Sequence, residues 1–391
     1  MRDVVIISAV RTPIGNFNGA FRDISALDLG SIVLTEAVKR AGIEHSAIDE
    51  VIMGNVLPSG LGQNPARQAM IRARFPMDAG AITVNKVCGS GLKAVMLAAQ
   101  AIACGDADVV VAGGMESMNN APYYLDKARY GYRMGNNPII DGMVHDGLWD
   151  IVNDFHMGYT AELVCKKFAI SREDMDRFSS LSNERALASI KDGLFKDEVV
   201  PVSVKSKKGE ALIDTDEGPR QATMEALAAL KPAFKNDGAV TAGNASKISD
   251  GAAALVLMEK KKAIALGLKP MSRVGAQGAA GVPLEDVLVA PIKSIPKVLK
   301  KAGLSLHDID LHEVNEAFAS STIAVMRELG IPLEKLNVHG GAIALGHPIG
   351  ASGARVLVTL LYAMQKRNVR RGMASLCLGG GEAVSLIVER E

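Results

Sequence analysis

The chain is short of net charge, of cysteine, of aromatic residues and of long apolar runs, and each scarcity narrows what it can be. A formal net charge of +1 over 391 residues leaves no electrostatic footprint for nucleic acid or an anionic membrane surface. Four cysteines (Cys88, Cys104, Cys165 and Cys377) stand far apart without metal-ligand spacing, so each is read as a free thiol. No apolar run approaches the length expected of a membrane-crossing helix. The start, Met1-Arg2-Asp3 and then Val4–Val10, reads as a strand and not as a signal or transit peptide, and the end carries no receptor-read address. These absences predict a cytoplasmic globular protein with no nucleic-acid or membrane partner. Aromatic residues are only 4% of the chain, so their placement carries information. The single Trp149 and five of the six tyrosines fall between Met118 and Gly243.

What is present in quantity is small and aliphatic. With 48% hydrophobic side chains the chain can bury a large core, divided over two or three domains. Short apolar runs alternate with longer amphipathic ones, the pattern of an α/β protein. Strands are expected at Val4–Val10, Val51–Val56, Val109–Ala112, Ala252–Met258, Ala374–Leu378 and Ala383–Val388. Helices are expected at Leu92–Cys104, stopped by Gly105, and at 351–365. Arg40–Asp49 resembles Lys301–Asp310, and Cys88–Gly91 resembles Gly350–Gly353 at nearly the same separation. Each match is followed by the same order of helix, strand and glycine cluster. Two halves related by a pseudo-two-fold axis would bring the two helix starts together, and with them Cys88 and His347. The stretch 118–243 lies outside this repeat. Its polar runs at 203–209 and 214–220 give it the look of an inserted cover.

Chemistry-bearing residues gather at the turns. Residues 337–353 set His347 between tight glycine turns and the start of an apolar helix, where free N–H groups and the helix dipole favour developing negative charge. Cys88 immediately precedes an apolar helix, a position that lowers a thiol pKa and favours the reactive thiolate. The plainer reading is a buried structural cysteine. Cys104 and Cys165 sit in apolar helical stretches and are expected to be inert. Cys377 ends a strand and opens Gly379-Gly-Gly381, a turn whose successive N–H groups can cradle an oxyanion. Asn315 can hold a water or a carbonyl, or simply cap a helix.

Taken together, Cys88–Gly91, Asn315–Ala319, Asn337–Gly353 and Cys377–Gly381 resemble the four sequence blocks of the thiolase family, in family order. The similarity runs over nearly the whole chain. The histidine and second-cysteine blocks are its most specific parts. Thr241–Ser246 with Asp250–Ala253 resembles the family's coenzyme A loop, and His156–Gly158 resembles a pocket motif. The resemblance implies a five-layer αβαβα fold of two similar halves with an inserted loop domain: 1–118 plus 244–270, 119–243, and 271–391. It implies Claisen condensation and thiolysis of acyl-CoA by a ping-pong route. Cys88 would be the acylated nucleophile, His347 would handle the thiol proton, and Cys377 would be the acid/base at the α-carbon. Asn315, through a water, would join His347 in stabilising the enolate, and the N–H groups of Cys88 and Gly379 would form a second oxyanion hole. His156, Met157, Arg220, Gly243, Ser246, Ala317 and Phe318 would hold coenzyme A, which is substrate and not a resident cofactor; no metal is implied. The loop 119–145, with Tyr123, Tyr124, Tyr130 and Tyr132, resembles the segment through which thiolases assemble as tetramers, dimers of dimers.

Acetyl-CoA acetyltransferase, making or cleaving acetoacetyl-CoA, is the leading expectation. A 3-ketoacyl-CoA thiolase for longer chains in fatty-acid breakdown is the alternative. Two departures bear on this choice. Val287–Pro291 replaces a glycine-containing family run with bulkier residues, and Val152–Phe155 replaces an aromatic-rich one; both imply an altered acyl pocket. A decarboxylating ketoacyl synthase would carry histidine where this chain has Cys377. A non-catalytic acyl-CoA-binding relative would have lost Cys88, His347 or Cys377, and all three are here.

Overall fold

The computed structural model describes residues 1–206 and 209–390. Lys207 and Lys208, inside the polar run at 203–209, and Glu391 lie outside the described residues.

The first half opens with strand β1 (Val4–Arg11), every residue of which is buried. Helix α1 (Ala26–Ala41) is capped by Ser25 and stopped by Gly42 in the left-handed region. There follow β2 (Glu50–Gly54), α2 (Pro65–Arg72), β3 (Gly80–Val84), α3 (Ser90–Cys104) and β4 (Val109–Ser117). A long excursion over 118–248 includes helices α4 (Met157–Lys167) and α5 (Arg172–Lys191) before β5 (Ser249–Glu259) closes the half-sheet. The second half repeats the order except for a counterpart of β3: β6 (Ser272–Gly281), α6 (Pro291–Ala302), β7 (Leu311–Val314), α7 (Ala319–Leu329), α8 (Ile349–Lys366), β8 (Arg371–Leu378) and β9 (Glu382–Glu389).

Strand order makes the duplication explicit. The strands run β7-β8-β9-β6-β1-β5-β4-β2-β3, with a two-residue strand, Gly15–Asn16, beside β5. In the first half, β1, β5 and β4 are antiparallel neighbours, and β4 pairs parallel with β2. In the second, β6, β9 and β8 are antiparallel and β8 pairs parallel with β7. The half-sheets meet through a short β1–β6 pairing, Val5 with Arg273 and Ile6 with Ser272. The matched segments at Arg40 and Lys301 both fall at a helix end, with Gly42 and Gly303 each at φ +68°, leading into a short 3-10 turn and then a strand.

Three apolar clusters separate five layers. One lies between α1 and α2 and the first half-sheet. The second, built from α3 and α8, is shared by both half-sheets. The third packs α6 and α7, with α4, on the outer face of the second half-sheet. The stretch Val87–Cys104 is apolar enough, with a mean hydropathy of 1.5, and long enough to cross a bilayer. This corrects the expectation that no run approaches that length. Here it belongs to the central layer, where Leu92, Val95, Ala98 and Ile102 are buried against both half-sheets.

Among the nine long strands of the large sheet, sequence periodicity placed the most apolar ones well and overlooked β3, β6 and β7. β3, β6 and β7 carry partly exposed, glycine-rich or charged residues, which blur the two-residue alternation. Both remaining cysteines lie in helices as expected: Cys104 is exposed at the last turn of α3, and Cys165 is buried in α4.

Candidate active site

The central layer brings the two halves into contact at the starts of α3 and α8. Gly91 and Gly353 make that contact close. A Cβ on Gly353 would lie 2.3 Å from the Leu92 nitrogen, and one on Gly91 would lie 2.7 Å from the Ala354 nitrogen. Backbone therefore meets backbone at the crossing, and no larger residue fits. Glu116, at the end of β4, ties the crossing together. Its carboxylate accepts from the Asn55 side chain at 2.7 Å, from the Val56 and Leu57 N–H groups, and from the Gly350 N–H in the first turn of α8 at 2.8 Å. Burial pushes its pKa up to about 7, with the backbone donors pulling the other way.

A cavity of about 670 Å³ opens beside this crossing. Cys88, His347, Cys377 and Gly379 line it, as do His156, Met157, Arg220, Ser246, Ala317 and Phe318. Asn315 and Gly243 do not form its wall. Asn315 lies behind it, its N–H bonded to the Ser375 carbonyl two residues before Cys377. The Asn315 amide is buried, yet neither its nitrogen nor its oxygen has a partner among the described residues. A buried amide open at both ends calls for a water or a ligand atom. Gly243 is buried against Leu227 and Leu230 in the turn that begins at Thr241. That turn still shapes the wall: Asn244 and Ser246 bond the backbone at Ala319 and Ala317.

Cys88 stands on a strained turn. Val87, a β-branched residue, has φ +46°, a conformation costing on the order of 1–3 kcal/mol that persists only where neighbours impose it. Ser90 imposes it here. Its hydroxyl donates to the Val87 carbonyl at 2.6 Å and accepts from the Lys86 N–H at 2.8 Å, while Asn85 accepts from the Val87 N–H. The Gly379 N–H and the N–H of Cys88 itself point at the Cys88 sulfur and stabilise its thiolate. Burial outweighs them and pushes the thiol up to about 11, opposite to the lowering expected at a helix start. The helix dipole and two donors do not repay the desolvation of the thiol at the cavity wall. Cys377 is driven further up, first by burial and then by the nearness of Cys88.

His347 is set for proton transfer. The Ser352 hydroxyl donates to the Pro348 carbonyl at 2.9 Å, so at 2.6 Å it accepts from Nδ1–H of His347. That tautomer leaves the Nε2 lone pair free. Nε2 is buried and has no partner among the described residues. Burial, reinforced by the charge of Arg355, lowers the imidazole pKa to about 3, so the ring is neutral at rest. The site thus holds two protonated thiols and one neutral base.

Aromatic rings line the approach. His156 stacks on Phe234 at 4.7 Å and meets Trp149 edge-on at 6.4 Å, while Phe234 meets Phe318 edge-on. Its Nδ1 accepts the Gly158 N–H at 2.9 Å, and burial lowers its pKa. Sequence reading did not single out Val87, Glu116, Ser352, Phe234 or Lys247. Of these only Ser352 had a local signal, its place one turn into the helix that follows His347.

Two thiols and an imidazole at the base of one cavity, on a duplicated five-layer α/β fold, define a thiol-dependent enzyme. Residues 4–261 match the model of the thiolase N-terminal domain, and residues 268–390 match that of the thiolase C-terminal domain. The chain belongs to the thiolase family. It is 55% identical over 392 residues to an acetyl-CoA acetyltransferase of Syntrophomonas wolfei, covering 99% of each chain. It is 53% identical over 392 residues to the acetyl-CoA acetyltransferase of Escherichia coli K12, covering 100% of both. The crystal structure of the Bacillus anthracis acetyl-CoA acetyltransferase superposes with a TM-score of 0.98 at 43% identity, covering 100% of this chain and 99% of the other.

Proposed function

We propose that the protein is an acetyl-CoA C-acetyltransferase, joining two acetyl-CoA into acetoacetyl-CoA or cleaving it with coenzyme A. The observation that carries this reading is the convergence of Cys88, Cys377 and His347 on one cavity, with the Gly379 N–H directed at the Cys88 sulfur. In the first half-reaction Cys88 attacks the thioester carbonyl as its proton passes to Nε2 of His347. The N–H groups of Cys88 and Gly379 receive the oxyanion. Coenzyme A leaves with the proton held by His347. In the second half-reaction Cys377 gives its proton to His347 and takes one from the α-carbon of acetyl-CoA. The enolate, held by His347 and by Asn315 through a water, attacks the acyl group on Cys88. The departing Cys88 thiolate recovers the proton from His347. Every proton is accounted for without a metal or resident cofactor, and coenzyme A is substrate and product only.

The three units set out above, 1–118 with 244–270, 119–243, and 271–391, divide this work into two catalytic halves and a cover. Assembly as a homotetramer, a dimer of dimers, is supported by apolar side chains left in the open on the loop 119–145, where Tyr130 is 87% and Met134 96% exposed. A cytoplasmic location and a role in fatty-acid metabolism belong to the same reading.

The test is a mass measurement after brief exposure to acetyl-CoA. Wild type should gain about 42 Da, an acetyl group, on the peptide containing Cys88. Cys88→Ala should gain nothing, while Cys377→Ala should acylate and fail to condense. An adduct on Cys377 in place of Cys88 would reverse the two roles.

A further inference from the structure

We propose that Lys247 and Arg220 form a cationic subsite for a phosphate group of the coenzyme, a proposal that rests on the acyl-CoA reading of the cavity. Carboxylates and cations are scarce in the wall of this cavity: among the described residues, only Glu217, Arg220 and Lys247 carry full charges there. Glu217 is already engaged. Its carboxylate accepts from the Asn16 N–H at 2.8 Å and from the Ala20 N–H at 3.0 Å. Lys247 is partly buried, and its ammonium donates to two neutral oxygens, the Gly218 carbonyl and, at 2.9 Å, the Ala344 carbonyl. Neither Lys247 nor Arg220 has a carboxylate within ion-pair distance among the described residues.

An ammonium taken out of water, solvated by neutral carbonyls and set beside a guanidinium, is costly unless an anion comes to it. The cost registers as a pKa lowered to about 8, through burial and then the charge of Arg220. Polarity along the cavity says which anion. Around the thiols the wall is aliphatic and aromatic, with buried Val287, Leu288 and Ile349, and suits an acyl group and an uncharged pantetheine arm. Arg220, by contrast, is exposed. A ligand with a thioester at one end and phosphate esters at the other matches this gradient from uncharged base to cationic rim. The anchoring of Lys247 also places the subsite with respect to the chemistry. Its carbonyl accepts the His347 N–H at 3.0 Å, so a phosphate bound there is registered against the catalytic imidazole.

The test compares thiolysis of acetoacetyl-CoA by coenzyme A and by pantetheine, which has the same thiol and arm but no phosphate. Lys247→Met should raise KM for coenzyme A about tenfold at low salt, the equivalent of one lost charge contact, and move KM for pantetheine less than about twofold. Arg220→Met, at an exposed position, should act in the same sense with a smaller factor, and Lys247→Arg should restore most of the preference. 4′-Phosphopantetheine and dephospho-coenzyme A then show which phosphate is held. In wild type, KM for coenzyme A should climb relative to that for pantetheine as pH passes about 8, where the ammonium is lost. Equal effects of Lys247→Met on coenzyme A and pantetheine would overturn the proposal and leave Lys247 as a clip on the His347 loop. Acylation of Cys88 by S-acetylpantetheine needs no phosphate. It therefore reports on the thiolase reading separately.

Discussion

The turn ahead of α3 and the turn ahead of α8 occupy equivalent places in the two halves, and each sets a reactive side chain just after a residue of positive φ. In the second half that residue is Gly346, at φ +117°, which adopts it without strain; in the first it is Val87, at φ +46°. His347 is then held by a side-chain relay through Ser352 to its own helix, whereas Cys88 is held by the backbone of its turn and by an N–H from the opposite half. The halves differ again past the second of their central strands. Between β4 and β5 the chain makes its excursion over 118–248, while between β8 and β9 it turns through Gly379–Gly381 alone. Duplication supplied two helix starts at one point, and divergence gave one the sulfur and the other the base.

The comparison can be broken most forcefully at His347. His347→Ala should slow acylation of Cys88 by on the order of 10³, measured as a single-turnover burst, because it removes the buried, unpartnered Nε2 that accepts the thiol proton. Ser352→Ala frees the tautomer and should cost about tenfold, with the pH profile of acylation shifted. An unchanged profile would show that Ser352 only packs.

The next test concerns the two thiols. Both folded-state values lie above that of a free thiol, so thiolate is scarce at neutral pH and grows as pH rises. Alkylation of Cys88 by iodoacetamide in the ligand-free protein should increase about tenfold per pH unit toward about 11, with Cys377 lagging behind it. A plateau near neutrality would mean that the helix start wins over desolvation after all.

The smallest effect is expected at Val87. Val87→Gly removes the strain that Gly346 never had. Its melting temperature should stay within about 2 °C of wild type, since relief of strain and added unfolded-state freedom offset each other. The acylation rate should fall about threefold as the Cys88 turn loosens. A faster enzyme would mean that the strain contributes nothing to placing the sulfur.

Much of this arrangement was readable from the chain. The paired segments at Arg40 and Lys301 and the glycines after Cys88 and before Gly353 are local patterns, and local patterns survive in a linear sequence. Cys88, His347 and Cys377 could be singled out because each sits among turn-forming glycines. Glu116 and Lys247 could not. Both look like ordinary charged residues, and their meaning comes from burial and from partners far along the chain, such as Gly350 and Ala344. The direction of the Cys88 shift differs from the sequence expectation for the same reason, because a helix start is visible in sequence and the burial of a thiol by distant segments is not.

The close approach of Gly91 to Ala354 and of Gly353 to Leu92 also sets the width of the site. With no side chain to act as a cushion there, the crossing behaves as a gauge block, and the gap between sulfur and imidazole is machined by the main chain itself. Adding a single methyl group at either glycine would reset that gap directly, so substrates have to suit a jaw of unyielding width.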